Sequence, residues 1–371
     1  MLMSLAIAAA AIGAAAVSAN AATLDQMAGQ MVLVGFQGGA VTDPGVQTLI
    51  SEIKAGQVGG LMYLRVNVKS LDAVKAMNAA FVAANPSLKP FITLDQEGGK
   101  VQRLSAKVGF PEMPSAEDVA KDDTPDQAEA IYAKTATGLA GLGFNVNFGP
   151  VVDLNVNPDN PIIGKYGRSF SADPAKVIAY ADAFLQAQHQ AGVLTALKHF
   201  PGHGSSTTDS HKGFVDVTST WKPVELQPYK TLVGQGGIDF VMVGHLYIDS
   251  YGAPPDPQQL PTSLSSYWIG SILRGQIGYK GAVISDDLEM GAIRDLFKSD
   301  SNDEIIRQTV VKAVNAGVNV LLFSNTAVPT ADLGQKIHDI LVSEAKKDPA
   351  FAKKIEASYN LIVALKKKLA A

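Results

Sequence analysis

After residue 22, short apolar, β-rich runs alternate with longer stretches in which apolar residues recur every three or four positions. The runs are QMVLVGF, GGLMYL, PFITLDQE, FNVNFGPVVDL, GVLTALKHF, DFVMVGHLYI, GAVISDDL and GVNVLLFSN. Each has the length of a strand, and a continuous rather than alternating apolar character predicts burial on both faces, as in a parallel sheet. Between the runs, the helical period predicts helices over Leu71 to Ala84, Pro125 to Gly141, Pro174 to Gln190, Pro223 to Gln235 and Asp303 to Ala316. Several of these open with Asp or Thr before Pro and close near Gly. Eight strand and helix alternations predict a single (β/α)8 barrel of the TIM type, with a doubly wound open sheet as the alternative. No GxGxxG opens a helix after the first run, which weakens the dinucleotide-binding version of that alternative.

The closing segment FAKKIEASYNLIVALKKKL places Phe351, Ile355, Tyr359, Ile362 and Leu365 along one helical stripe. That pattern predicts a C-terminal helix packed on the barrel exterior, its terminal lysines favourably placed for the macrodipole. No Pro/Ser linker marks a second domain, so residues 23–371 read as one barrel domain.

Composition narrows the class. Of 371 residues, 47% are hydrophobic and 18% charged, enough for a large core. A net charge of −4 without a long basic run offers no footprint for nucleic acid. Cysteine is absent, which removes disulfides, thiolate ligands and Cys nucleophiles together. The run LAIAAAAIGAAAVSANAA, followed by small residues around Ala19 to Ala22, predicts a signal peptide over residues 1–22. Its n-region MLMS lacks the usual positive charge, and a membrane anchor is the alternative reading. The expected location is periplasmic or secreted, with no stable membrane insertion once the leader is removed.

In a barrel the chemistry gathers at the C-terminal ends of the strands. Run three ends in Asp95 and Glu97, run five in Lys198 and His199, run six in His245, run seven in Asp286 and Asp287, and run eight in Asn325. One polar residue at a strand end usually caps a helix or satisfies a loop; their convergence on one rim is what signals a site. The segment KHFPGHGSSTTDSH holds three of the six histidines. As zinc ligands, His199, His203 and His211 fit neither HExxH nor a Cys-containing spacing, so neither metal nor cofactor is expected. Asp209-Ser210-His211 instead places a carboxylate two residues from an imidazole on a Gly-rich loop. A carboxylate bonded to one ring nitrogen fixes the tautomer, favours the imidazolium and leaves the other nitrogen to deliver a proton, making His211 a candidate general acid.

The motifs KHFPGHG and TDSH, together with LDQEGGKVQRL, GRSFSADP and GAVISDDLEMGAI, resemble the family 3 glycoside hydrolases. The resemblance runs from about Leu24 to Asn325 and is closest to the compact β-N-acetylglucosaminidases (β-N-acetylhexosaminidases). It implies a retaining hydrolase of terminal β-linked N-acetylglucosamine from peptidoglycan fragments or chito-oligosaccharides. Asp286 would be the nucleophile and His211 the acid/base, with Asp209 as its partner. Asp95, Arg103, Arg168, Lys198 and His199 would bind the sugar. Larger β-glucosidases of the family take their acid/base from a domain after the barrel. Here about 45 residues follow the last run, so the resemblance assigns the donor to the barrel's own loop. Asp287 is expected to support its loop or cap the next helix, and Glu289 to lie on the surface or behind the site. This sequence departs from the family pattern at Ser205-Ser206, where many relatives carry a charged or bulkier pair. GKYGRSF is also slightly longer than the commonest form before the Arg. The rival readings are substrate-assisted catalysis using Asp95 and Glu97, a β-glucosidase or β-xylosidase, a metal-dependent hydrolase, and a non-catalytic glycan-binding barrel.

Overall fold

The structure, a computed structural model, describes residues 22–249, 251–252 and 257–369. The expected leader over residues 1–22 lies outside these residues except for Ala22. Each of the eight runs supplies one strand: β1 (Val32–Gly35), β2 (Gly60–Tyr63), β3 (Phe91–Leu94), β4 (Val146–Asn147), β5 (Leu194–Phe200), β6 (Phe240–Val243), β7 (Ala282–Ser285) and β8 (Leu321–Phe323). All are parallel, in the order β8-β1-β2-β3-β4-β5-β6-β7. A bridge between Ile284 and Val320 joins β7 to β8 and closes the ring, giving the TIM-type barrel rather than the open sheet. Every residue of the seven-residue β5 (LTALKHF) is buried, including the polar Thr195, Lys198 and His199.

Backbone pairing alone does not close the barrel. At the β7–β8 seam, Asn319 Oδ1 accepts the Val283 N–H at 2.8 Å, and Ser285 Oγ accepts the Leu322 N–H at 3.0 Å. Buried amides cannot be left unpaired, so these polar side chains extend the ladder where strand geometry ends it. Strand β4 is shorter than its run because Pro150, lacking an N–H, interrupts the pairing. Pairing resumes at Val151 opposite Lys198.

The helices follow their sequence signals. Thr124 forms a capping box with Gln127 ahead of Pro125–Gly141, Asp173 caps Pro174–Gln190, and Ser301 caps Asn302–Ala316, which ends at a left-handed Gly317. The expected helix Pro223 to Gln235 is split into a 3-10 turn, Pro223–Leu226, and an α-helix, Gln227–Gln235. Pro228 can only occupy the first turn of an α-helix, so the α-helix starts just before it.

The C-terminal helix Pro349–Lys368 buries Phe351, Ile355, Ile362 and Leu365 as its stripe predicts, with Tyr359 half-buried beside a buried Ser358. One of its terminal lysines turns into the interior. Lys366 is buried and donates to Gln30 Oε1 and the Gly59 carbonyl, with its ammonium 4.8 Å over the Phe91 ring. Its long stem lets it reach acceptors beneath the strand ends, and the more exposed Lys368 likewise reaches down to the buried Asp239 Oδ1 at 2.8 Å.

Candidate active site

A cavity of about 320 Å³ opens at the C-terminal ends of the strands. Its wall includes seven of the eight residues to which the sequence resemblance gives catalytic or binding roles: Asp95, Arg103, Arg168, Lys198, His199, His211 and Asp286. The eighth, Asp209, stands behind His211.

The sequence Asp95-Gln96-Glu97 builds one side. Residues on extended chain alternate in direction, so the two carboxylates face the cavity while Gln96 turns inward. Gln96, fully buried, accepts the Arg103 and Leu104 N–H groups and donates to the Leu104 carbonyl. This folds the hairpin Gln96–Gly98/Val101–Gln102 back so that Arg103 meets Asp95 Oδ2 at 2.5 Å. From β5, Lys198 donates to Asp95 Oδ1 at 2.7 Å and lies 2.6 Å from Glu97 Oε1. Arg168 grips Glu97 with two bonds, Nε at 2.7 Å and Nη2 at 2.8 Å. Burial by itself would raise both carboxyls. The Lys198, Arg103 and Arg168 charges instead hold Asp95 well below the usual range, and those of Arg168 and Lys198 hold Glu97 at about 2. Both are acceptors at neutral pH. Of its five N–H groups, Arg168 uses Nε and both on Nη2, the second toward His199, and one on Nη1 for the Ile162 carbonyl. One N–H remains to meet a bound molecule.

Behind this wall is Asp153, a residue the sequence reading passed over. It is fully buried at the end of VVDL and receives the His199 and His203 N–H groups on Oδ1, and His199 Nδ1 on Oδ2 at 2.7 Å. An Asp closing an otherwise apolar run was the available signal. Arg168 can only donate, so its 3.3 Å contact makes His199 Nε2 an acceptor and leaves the ring proton on Nδ1. Burial, reinforced by His199, pushes His203 down to about 4. Its two ring nitrogens bond to Ser206 Oγ and Ser210 Oγ. Two of the three clustered imidazoles are therefore fully engaged. Among the described residues no trio of His, Cys, Asp or Glu is arranged to hold a metal ion.

The opposite side joins Asp286 and His211. Asp286 follows β7, and its Oδ1 accepts the Asp287 N–H at 2.8 Å. Burial would raise its carboxyl, but the facing His199, His245 and His211 rings and that N–H hold it below the usual range. Asp287 accepts the Glu289 and Ser324 N–H groups and so holds its loop; burial pushes it up to about 6. Glu289 lies buried behind the site, where it accepts from Ser324 Oγ and the Thr326 N–H. His245 donates from Nε2 to the Asp287 carbonyl and accepts from Ser263 on Nδ1, fixing the peptide next to Asp286.

His211 is largely exposed, and Asp209 Oδ1 accepts both its Nδ1–H, at 2.8 Å, and its backbone N–H, at 3.0 Å. The loop end docks onto the residues that follow Asp286. Gly291 and Ala292 donate to the His211 and Ser210 carbonyls at 3.2 and 3.1 Å. A Cβ at Gly291 would lie 2.8 Å from the Gly213 nitrogen, so glycine there permits the close approach. The MGAI segment thus positions His211 as well as following Asp286.

Residues 23–356 match the family model described as Glycosyl hydrolase family 3 N terminal domain, and the chain belongs to this family. It is similar to a Mycobacterium tuberculosis protein named Beta-hexosaminidase LpqI, 38% identical over 256 residues that cover 67% of this chain and 62% of that protein. It is also similar to an Arthroderma benhamiae protein named Uncharacterized secreted glycosyl hydrolase, 32% identical over 96% of this chain and 98% of the other. Among solved structures it resembles a glycoside hydrolase family 3 beta-N-acetylglucosaminidase from a Paenibacillus species. That match has a TM-score of 0.82 and 30% identity, and covers 94% of this chain and 63% of the other. The chain matches less than two thirds of the length of the mycobacterial and Paenibacillus proteins. No helix among the described residues is long and apolar enough to cross a membrane.

Proposed function

We propose that this protein is a retaining β-N-acetylhexosaminidase that removes terminal non-reducing β-linked N-acetylglucosamine from peptidoglycan fragments or chito-oligosaccharides. The observation that carries the proposal is that Asp286 and His211 line one side of a cavity whose far wall is a clamp of fixed charges. The names of the relatives support the choice of sugar. Asp95, held as a carboxylate, accepts sugar hydroxyls; Arg103, Lys198 and the one uncommitted N–H of Arg168 complete the grip, and His199, both ring nitrogens engaged, lines the pocket and holds Arg168 in place. With Asp286 Oδ1 bonded to the next N–H, Oδ2 is the oxygen that attacks the anomeric carbon as the glycosidic bond breaks. His211 Nε2 gives its proton to the leaving oxygen while Asp209 holds Nδ1–H. The neutral ring then takes a proton from the incoming water, which releases the sugar from Asp286. Asp95 and Glu97 are each committed to cationic partners, which disfavours them as the pair assisting an acetamido attack. The work is assigned to the periplasm or outside the cell, consistent with the predicted leader.

The test is hydrolysis of nitrophenyl β-N-acetylglucosaminide, β-glucoside and β-xyloside, with and without chelator. Rapid cleavage of the first alone, unaffected by chelator, is expected. Preference for the glucoside or xyloside moves the assignment to that substrate class. Loss of activity in chelator overturns the metal-free mechanism, and inactivity on all three leaves only a glycan-binding barrel.

A further inference from the structure

Resting on that glycosidase reading, we infer that Tyr166 is the platform for the leaving sugar: an aromatic face that stacks on the pyranose attached to the departing oxygen and selects saccharide leaving groups. The segment GKYGRSF forms a 3-10 turn, Gly164–Tyr166, closed by a left-handed Gly167 with φ 64°. This turn lifts Tyr166 to the cavity mouth two residues before Arg168 turns inward.

Depth separates the two roles. The side chains of Lys198, Asp95 and Arg168 are 2%, 11% and 11% exposed, which marks the floor where the first sugar is gripped. Tyr166 lines the same cavity yet is 44% exposed. The other Phe or Tyr in the wall, Phe148, is fully buried. The Lys100 ammonium lies 4.9 Å over the ring and also donates to the Lys165 carbonyl, so a cation occupies one face. The leaving sugar would stack on the opposite face. One face of a β-linked pyranose presents axial C–H groups of slight positive character, complementary to the negative face of an aromatic ring.

The test compares N,N′-diacetylchitobiose, whose leaving group is a sugar, with N-acetylglucosaminyl β-fluoride, whose leaving group is a single ion. In Tyr166→Ala the ratio of kcat/KM for chitobiose to that for the fluoride should fall about tenfold, mostly through KM. Tyr166→Trp should restore the ratio. An unchanged ratio in Tyr166→Ala overturns the platform while leaving the glycosidase reading intact. A ratio that falls but is not restored by Trp also overturns it, because a bulk or folding effect would then explain the loss. A wild-type protein that cleaves neither substrate overturns the glycosidase reading itself.

Discussion

Glu225 connects burial chemistry to the loop that carries His211. It lies in the turn Pro223–Leu226, is 1% exposed, and its Oε2 accepts the Gly204 N–H at 3.1 Å. Its Cβ would stand 2.7 Å from a Cβ at Gly202, so it packs directly against the root of the 202–211 segment. No cation is bonded to it among the described residues. Burial therefore pushes its carboxyl from 4.5 up to about 8, with the nearby Asp153 charge adding to the effect. Because the folded value is above the unfolded one, the fold favours the neutral acid. That stability is full below about pH 4.5 and is lost as pH rises toward 8. At about 1.4 kcal/mol per pH unit, ionising this group in the fold rather than in the unfolded chain costs on the order of 4–5 kcal/mol.

Glu225→Gln keeps an acceptor for Gly204 and cannot ionise. Urea unfolding of both proteins from pH 5.5 to 8.5, extrapolated to water, should show the glutamine variant gaining about 3 kcal/mol on wild type across that range. The difference between the two proteins cancels all other titrations. A difference that stays constant with pH would refute the reasoning, because it would mean that the carboxyl is solvated or paired in the fold.

Asp286→Asn should abolish turnover while retaining sugar affinity, measured by calorimetric titration with N-acetylglucosamine; near-normal rates would remove it as nucleophile. His211→Ala should slow substrates with poor leaving groups far more than nitrophenyl glycosides, since only the former depend on protonation. Equal losses on both would count against the acid role. Arg168→Ala should raise KM and also lower unfolding free energy by about 3 kcal/mol, because a buried Glu97 loses its two-bond partner. A KM effect with unchanged stability would show that Glu97 finds another cation.

The sequence by itself determined the architecture and pointed to most of the residues that line the cavity. All eight strands fall within the apolar runs, and the helix starts fall at Ser, Thr and Asp caps, because these depend on local periodicity and local hydrogen bonding. Most rim residues were legible for a related reason: in a parallel barrel every strand end points the same way, so position along the chain already implies convergence, although Asn325 bonds Gly35 and Thr330 and His245 bonds Ser263 and the Asp287 carbonyl rather than lining the cavity. Only the tertiary structure decided what depends on partners far apart in sequence. Asp153 and Glu225 acquire their roles from loops that fold over them about 50 and 21 residues away, respectively. Arg168 turns out to give nearly all its donors to Glu97, Ile162 and His199, which leaves one for a ligand. Gly291 looks like an ordinary helix-start residue until His211 is seen against it, and Lys366 reads as a surface lysine until the barrel floor supplies its acceptors. Burial and the pairing of polar groups are properties of the packed interior, and periodicity along the chain carries no record of which distant side chain will complete them.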